Sequence, residues 1–229
     1  MFIQNKCLVH FCKNNTLSTF DNNGNLTENR NYCLDHIPDP GKAKEDIYSY
    51  IKKNDKIVGL NAAGLIFSDI DLSKKSFYGC NFTNCTFLNI HSSEIRCRMT
   101  FFDFSIFNDC VLQKINMMFT SFSGCTLSHT VLNYSDLIQD NFNGIKAFQS
   151  SFDDSDLFNS RFIQSTLVNT SFRNCNIKKT LFYNSSRTNV SFKMSNTKEA
   201  VFERKGSALQ QGIDSTDENI SNNDKDTSL

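Results

Sequence analysis

Tryptophan is absent from this 229-residue chain, and proline occurs only twice. Net charge is absent as well: 24 Lys and Arg balance 24 Asp and Glu. Overall charge therefore points to no nucleic-acid or other polyanionic partner. There is no run of about 18 apolar residues, so no membrane-spanning helix is expected. The first residues, MFIQNKCLVHFCKNN, lack the charged start, long apolar stretch and small-residue cleavage site of a secretory signal. A cytoplasmic location is expected. Histidines number four, and their spacing offers no obvious catalytic pair. No glycine-rich phosphate loop or nucleophile motif occurs.

Phenylalanine, by contrast, occurs 22 times and cysteine nine times, with Asn and Ser frequent. An odd cysteine count without a secretion signal indicates a reducing compartment and thiols that are free or metal-bound. The mix suits a narrow core wrapped in polar turns.

The segment FYGCNFTNCTFLN spaces Phe77, Phe82 and Phe87 by five. A helix repeats its apolar face every 3.6 residues and a strand every two, so neither explains the spacing. From Phe67 to Phe202 there are 28 positions at this interval, and 23 are Phe, Leu, Ile or Met. The exceptions are Ser92, Cys97, Ala147, Arg187 and Thr197. Two residues before the large one stands most often a small one, as at Cys80, Cys85, Cys110, Cys125, Ser155, Thr170 and Cys175; Lys75 and Asp140 depart from this as charged residues. The residue just before the large one is mostly Asn, Asp, Ser or Thr.

Units such as CNFTN, SDLIQ, SDLFN, TSFRN and CNIKK resemble the pentapeptide-repeat family. That resemblance covers about residues 65–204. It implies an all-β solenoid, a right-handed quadrilateral β-helix with four pentapeptides per coil and about seven coils. Coils stacked at about 4.8 Å would make a rod about 34 Å long. The large residues would stack along the axis with the small ones, cysteines included, beside them.

Residues 39–64 read as a capping helix and lead-in strand. Asp39 suits an N-cap with Pro40 at the first helical position. Ala43, Ile47, Tyr50 and Ile51 share one helical face, and Lys52 and Lys53 suit the C-terminal end. Residues 1–38 carry CLVHFC and CLDH around a hairpin signal at Asn23–Gly24. Cys7, Cys12, Cys33 and His36 form two pairs of soft ligands, which fits a closed tetrahedral Zn2+ site of structural type. His10 is an alternative to Cys12. The spacing also resembles small zinc fingers with a C-x4-C … C-x2-H pattern. So short a segment buries little core without a metal. Residues 205–229 read as a disordered tail.

A filled β-helix offers no natural pocket, and the Asp153, Asp154 and Asp156 cluster reads as a solvated corner, so a non-enzymatic role is expected. Residues twenty apart stack on adjacent coils. Tyr78, Arg98, Met118, Ile138, Phe158 and Lys178 fall in one column, apolar from Met118 through Phe158, with Met99 and Phe119 one residue further on. This apolar column is a candidate protein-interaction surface, unless the chain's own N-terminal segment covers it. The expected function is a protein-binding scaffold whose partner is unknown. Uncapped ends would also permit a homodimer. The family resemblance supplies a second reading, a DNA-mimicking modulator of a type II topoisomerase. Such a rod should be strongly acidic, whereas residues 65–204 hold 12 acidic and 14 basic side chains. A third reading, nucleic-acid binding through the N-terminal finger, lacks a basic stripe: residues 1–64 carry 8 basic and 7 acidic groups.

Overall fold

A computed structural model of the chain describes residues 6–27, 29 and 31–203. The expected tail at 205–229 lies outside the described residues. From Lys56 onward the chain winds as a four-sided solenoid of about seven turns. Every backbone pairing along it is parallel and joins a residue to the one twenty positions later, as in Lys56 with Ser76 and Ile66 with Thr86. Five residues therefore make one side, and four sides make a coil.

The four sides can be named by their first inward residues. The Ile57 side stacks the strands Lys56–Val58, Ser76–Tyr78, Arg96–Arg98, Asn116–Met118 and Asp136–Ile138. It continues through single bridges at Asp156 and Asn176. The Phe67 side stacks seven strands, from Ile66–Ser68 to Ser186–Thr188. The Ala62 side is a run of single bridges from Asn61 to Val201, and the Leu72 side pairs His91–Ser93 with Val111–Gln113 and continues to Ser191. The chain turns each corner through a residue of positive φ at every fifth position, for example Asn84, Asn89 and Asn159. Asn and Gly tolerate this left-handed conformation best, which explains the polar residues of the repeat.

The inward residues form stacked columns. On the Ala62 side Phe82, Phe102, Phe122, Phe142, Phe162, Phe182 and Phe202 lie nearly parallel, with neighbouring ring centroids 4.8–5.3 Å apart. Rings on adjoining sides meet them edge-on, as Phe152 does Phe142 and Phe162. Offset stacking and edge contact are the favourable aromatic geometries. The departures from the repeat are accommodated one by one. Cys97 and Ala147 point inward and are fully buried. Ser92 accepts the Leu72 amide at 2.9 Å. Arg187 lies over the Phe202 ring and donates to the Phe182 carbonyl. Lys75 reaches Asp55 at 2.8 Å and the Lys52 carbonyl at the end of the helix.

The small residues tie coil to coil. Ser105 Oγ accepts the Cys85 amide at 2.9 Å and donates to the Phe82 carbonyl at 2.8 Å. Ser155 repeats the pattern with Ser135 and Leu132. Thiols replace the donor half: Cys85, Cys110, Cys125 and Cys175 each donate to the carbonyl twenty-three residues back. A small side chain fits beside the ring columns, and its single donor satisfies a buried carbonyl.

A helix, Pro40–Lys53, precedes the first coil. Asp39 caps it by accepting the Lys42 amide, and Lys52 and Lys53 lie in its last turn. Ile47 and Ile51 are fully buried against the first coil, and Tyr48 stacks on Phe67 with centroids 5.4 Å apart. The Tyr48 hydroxyl donates toward the Ile66 and Ser68 carbonyls and accepts the Ser68 amide. The helix thus closes the N-terminal end of the Phe67 side.

Candidate metal centre and outer surface

Cys7, Cys12, Cys33 and His36 come together at the N-terminus. Cys7 and Cys12 flank a tight loop closed by the Cys12 amide on the Val9 carbonyl at 3.1 Å. Cys33 and His36 share one turn, in which the His36 and Ile37 amides both donate to the Cys33 carbonyl. Between the pairs, Thr19–Phe20 and Leu26–Thr27 form a short antiparallel hairpin whose turn is organised by Asp21. The four ligand atoms all lie within 4.8 Å of one another.

Their spacing tests the fit to an ion. Bonds of about 2.3 Å to sulfur and about 2.0–2.1 Å to nitrogen give tetrahedral edges of about 3.8 Å for S···S and about 3.6 Å for S···N. The observed separations are 3.8 Å for Cys12 Sγ to Cys33 Sγ, 3.5 Å for Cys7 Sγ to His36 Nδ1 and 3.3 Å for Cys33 Sγ to His36 Nδ1. The set fits a four-coordinate ion with His36 bound through Nδ1. His10 stands outside it, with its ring edge-on to Phe11 at 3.9 Å. Burial raises the Cys7 thiol, but hydrogen bonds from the Cys33 and Val9 backbone and from His36 outweigh this and bring it down to about 6. Cys33 is raised, chiefly by burial.

The Asp153, Asp154 and Asp156 group is taken up by hydrogen bonds within and between coils. Asp153 accepts from Ser171 and the Arg173 amide, Asp154 from Asn174, and Asp156 from the Phe158 amide and Asn176. The polar column Asn116, Asp136, Asp156, Asn176 and Asn196 is linked across coils, as in Asn116 Nδ2 to Asp136 at 2.7 Å. His129 lies 3.6 Å from Asp109 at a corner, and His91 is exposed on the outside of the Leu72 side. An internal void of about 30 Å³ is lined by Phe77, Phe82, Phe102 and other apolar core residues alone. It is too small for a substrate.

On the outer surface, Tyr78, Met118, Ile138 and Phe158 stack on the Ile57 side as expected from their spacing, but each is half-buried. Arg98 interrupts the column between Tyr78 and Met118, and its guanidinium binds the Cys97 and Asn116 carbonyls and the Asn116 side chain. Lys56 lies over Tyr78 and Lys179 over Phe158. Met99 and Phe119 are different: they occupy corners and are 57% and 55% exposed. Phe104, at the next corner of the Met99 coil, is 65% exposed, and its ring lies where a side chain on Gly124 would stand. Met99, Phe104 and Phe119 all have φ between 49° and 59°. The five-residue pattern does not single out Phe104. The signal that marks it is a bulky apolar residue at a corner position otherwise held mostly by Gly, Asn, Asp or other polar residues.

No family model matches the chain, and no curated protein sequence matches it. Among solved structures it is similar to full-length QnrB1, a plasmid-mediated fluoroquinolone resistance protein. Identity is 14% over 62% of this chain and 83% of that one, with a TM-score of 0.34. It is also similar to Rfr23, a pentapeptide-repeat protein from the cyanobacterium Cyanothece 51142 (11% identity, 70% and 99% coverage, TM-score 0.22). A third is HetL, a pentapeptide-repeat protein involved in heterocyst differentiation regulation from Nostoc sp. strain PCC 7120 (11% identity, 71% and 98% coverage, TM-score 0.20). The chain's own geometry decides the fold: one phase of five, parallel pairing at twenty, and a stacked inward column on each side. Its fold is the pentapeptide-repeat β-helix. Within this pentapeptide-repeat rod the Cys/His group, which could hold a metal ion, sits at the N-terminal end. The exposed corners Met99, Phe104 and Phe119 lie two to three coils further along. Among the described residues no helix is long and apolar enough to cross a membrane.

Proposed function

We propose that the rod is a non-enzymatic scaffold that docks a protein partner, with Zn2+ held as a structural ion by Cys7, Cys12, Cys33 and His36. The observation that carries the docking surface is the placement of Met99, Phe104 and Phe119. Bulky apolar side chains in left-handed corners cost about 1 kcal/mol each, and Met99, Phe104 and Phe119 leave most of their surface in water. Folding gains little from them, and exposed apolar side chains on adjoining corners are what a protein interface can use at its centre. The half-buried column of Tyr78, Met118, Ile138 and Phe158 would extend the contact along the adjoining side.

Zinc is favoured over other ions by three thiolates and one imidazole in tetrahedral spacing. Four protein ligands leave no open position for a substrate or water, which supports a structural rather than a catalytic ion.

The docking test uses corner residues that suit the backbone. Met99→Asn/Phe119→Asn should fold at least as well as the parent and lose a protein retained by the parent in an affinity capture from source-cell lysate. Equal retention by both chains would overturn the assigned face. Metal analysis of protein purified without added zinc should give one zinc per chain, and its absence would overturn the metal reading.

A further inference from the structure

We infer that the metal cluster latches the N-terminal finger onto the first coil, so that metal loading sets whether that end of the β-helix is closed. The inference rests on the zinc reading of Cys7, Cys12, Cys33 and His36 and deepens it from a local brace to a control on the rod's end.

The first coil has no coil before it, so its backbone would present open hydrogen-bonding groups. The helix supplies partners on the Phe67 side through Tyr48. On the Ala62 side the finger supplies them. The Ser18 amide donates to the Asn61 carbonyl at 2.9 Å, and Ser18 Oγ accepts the Asn61 amide at 2.8 Å. Leu17, next to Ser18, is 1% exposed and belongs to the continuous core of the rod, as Ile47 and Ile51 of the helix do. One finger residue therefore acts as an inward side chain and its neighbour as an edge partner, which is what a preceding coil would provide.

The finger itself has little fully buried core to hold this geometry. Its regular structure is one hairpin of two-residue strands, and among its described residues only Cys7, Thr16, Leu17 and Cys33 are buried. Two of those four are metal ligands. The cap is joined to the cluster directly: the Leu17 amide donates to the Tyr32 carbonyl at 3.0 Å, one residue before Cys33. The other face of the Cys33 turn meets the rod, where Leu34 packs against Gly64. Leu17 and Ser18 lie in the segment between Cys12 and Cys33, so an ion bridging those two ligands closes the loop that carries the cap. Without the ion, the chain must order that loop at its own entropic cost, offset by buried Thr16 and Leu17 and by the partly buried Phe20 and Leu26, which pack on the core with the Phe20 ring 5.1 Å from that of Tyr50. Binding free energy at a site of this kind is folding free energy.

Hydrogen exchange on the full chain, zinc-loaded and after chelation, reads the latch. On chelation the amides of Leu17, Ser18 and Asn61 should exchange at least about tenfold faster, while those of Phe122 to Phe182 keep their protection. Cys33→Ser should give the same pattern without chelator. Ser18→Ala should retain one zinc and still speed exchange at Asn61, which places the contact downstream of the ion. Zinc bound at one per chain with unchanged exchange at Ser18 and Asn61 on its removal overturns the latch and leaves the zinc site standing. A chain that binds no zinc overturns both.

Discussion

Asp140 Oδ1 accepts the amide of Thr120, one coil back, at 2.7 Å, while Oδ2 of the same carboxyl is buried with no partner. Asp140 occupies the position where most other coils carry Ser, Thr or Cys, and Ser160 one coil later shows the satisfied form: it accepts the Asp140 amide and donates to the Leu137 carbonyl at 2.6 Å. A carboxylate can copy only the accepting half. Burial pushes the Asp140 carboxyl up to about 8, and neither the Thr120 amide nor the Arg98 charge offsets it.

Stability should therefore fall as pH rises through the Asp140 range. The folded chain holds the proton up to about pH 8, whereas the unfolded chain releases it near 4. The contribution is full below pH 4, declines between 4 and 8 and is lost above. Asp140→Ser should remove this slope and raise stability at pH 7 by about 1–3 kcal/mol. Denaturant titrations of both chains at pH 5 and pH 8 measure it, and a difference that does not grow with pH would refute the assignment.

Phe142 is fully buried, with Phe122 and Phe162 stacked on it at 5.0 and 4.8 Å. Phe142→Ala should cost about 3–5 kcal/mol. Phe202 ends the column and is only half-buried, so Phe202→Ala should cost distinctly less. Urea midpoints of the two variants give the comparison.

The thiols should divide into two sets under alkylation of the native chain. Cys80, Cys85, Cys97, Cys110, Cys125 and Cys175 are buried in the rod. Burial pushes Cys80 up to about 11 and Cys85 and Cys175 up to about 12, so they should stay unmodified. On the proposed zinc site, Cys7, Cys12 and Cys33 should react once chelator is added, Cys7 with its thiol at about 6 among them. Mass mapping of the labelled peptides decides this, and labelling of Cys85 at the same rate as Cys7 would count against the fold.

Phe119→Asn should raise stability by about 1 kcal/mol, because Asn tolerates φ near 55° better than Phe. Thermal melts of the single variant test this separately from partner binding. A loss of stability would mean that Phe119 packs on the rod.

Much of this architecture is legible in the sequence because one period repeats without a slip. The spacing of Phe82 to Phe202 is enough to name an inward column, and Asp39–Pro40 names a helix start. The grouping of Cys7, Cys12, Cys33 and His36 is legible from their two short spacings. Less legible is what depends on neighbours in adjacent coils. Met118 and Phe158 read as an exposed column, yet both are half-buried and Lys179 lies over the Phe158 ring. Asp140 reads only as a departure, because its burial follows from the coil and not from its own chemistry. Ser18 and Leu17 give no periodic signal, since a single cap layer has nothing to repeat.

The pairing of each residue with the one twenty further on has a consequence for how such a chain can change length. Loss of one whole coil would leave every later column on its own side. Loss of a single pentapeptide would keep the interior supplied with large residues but rotate everything after it by a quarter turn. A docking surface could thus be re-aimed by ninety degrees while the inside of the rod registers almost nothing.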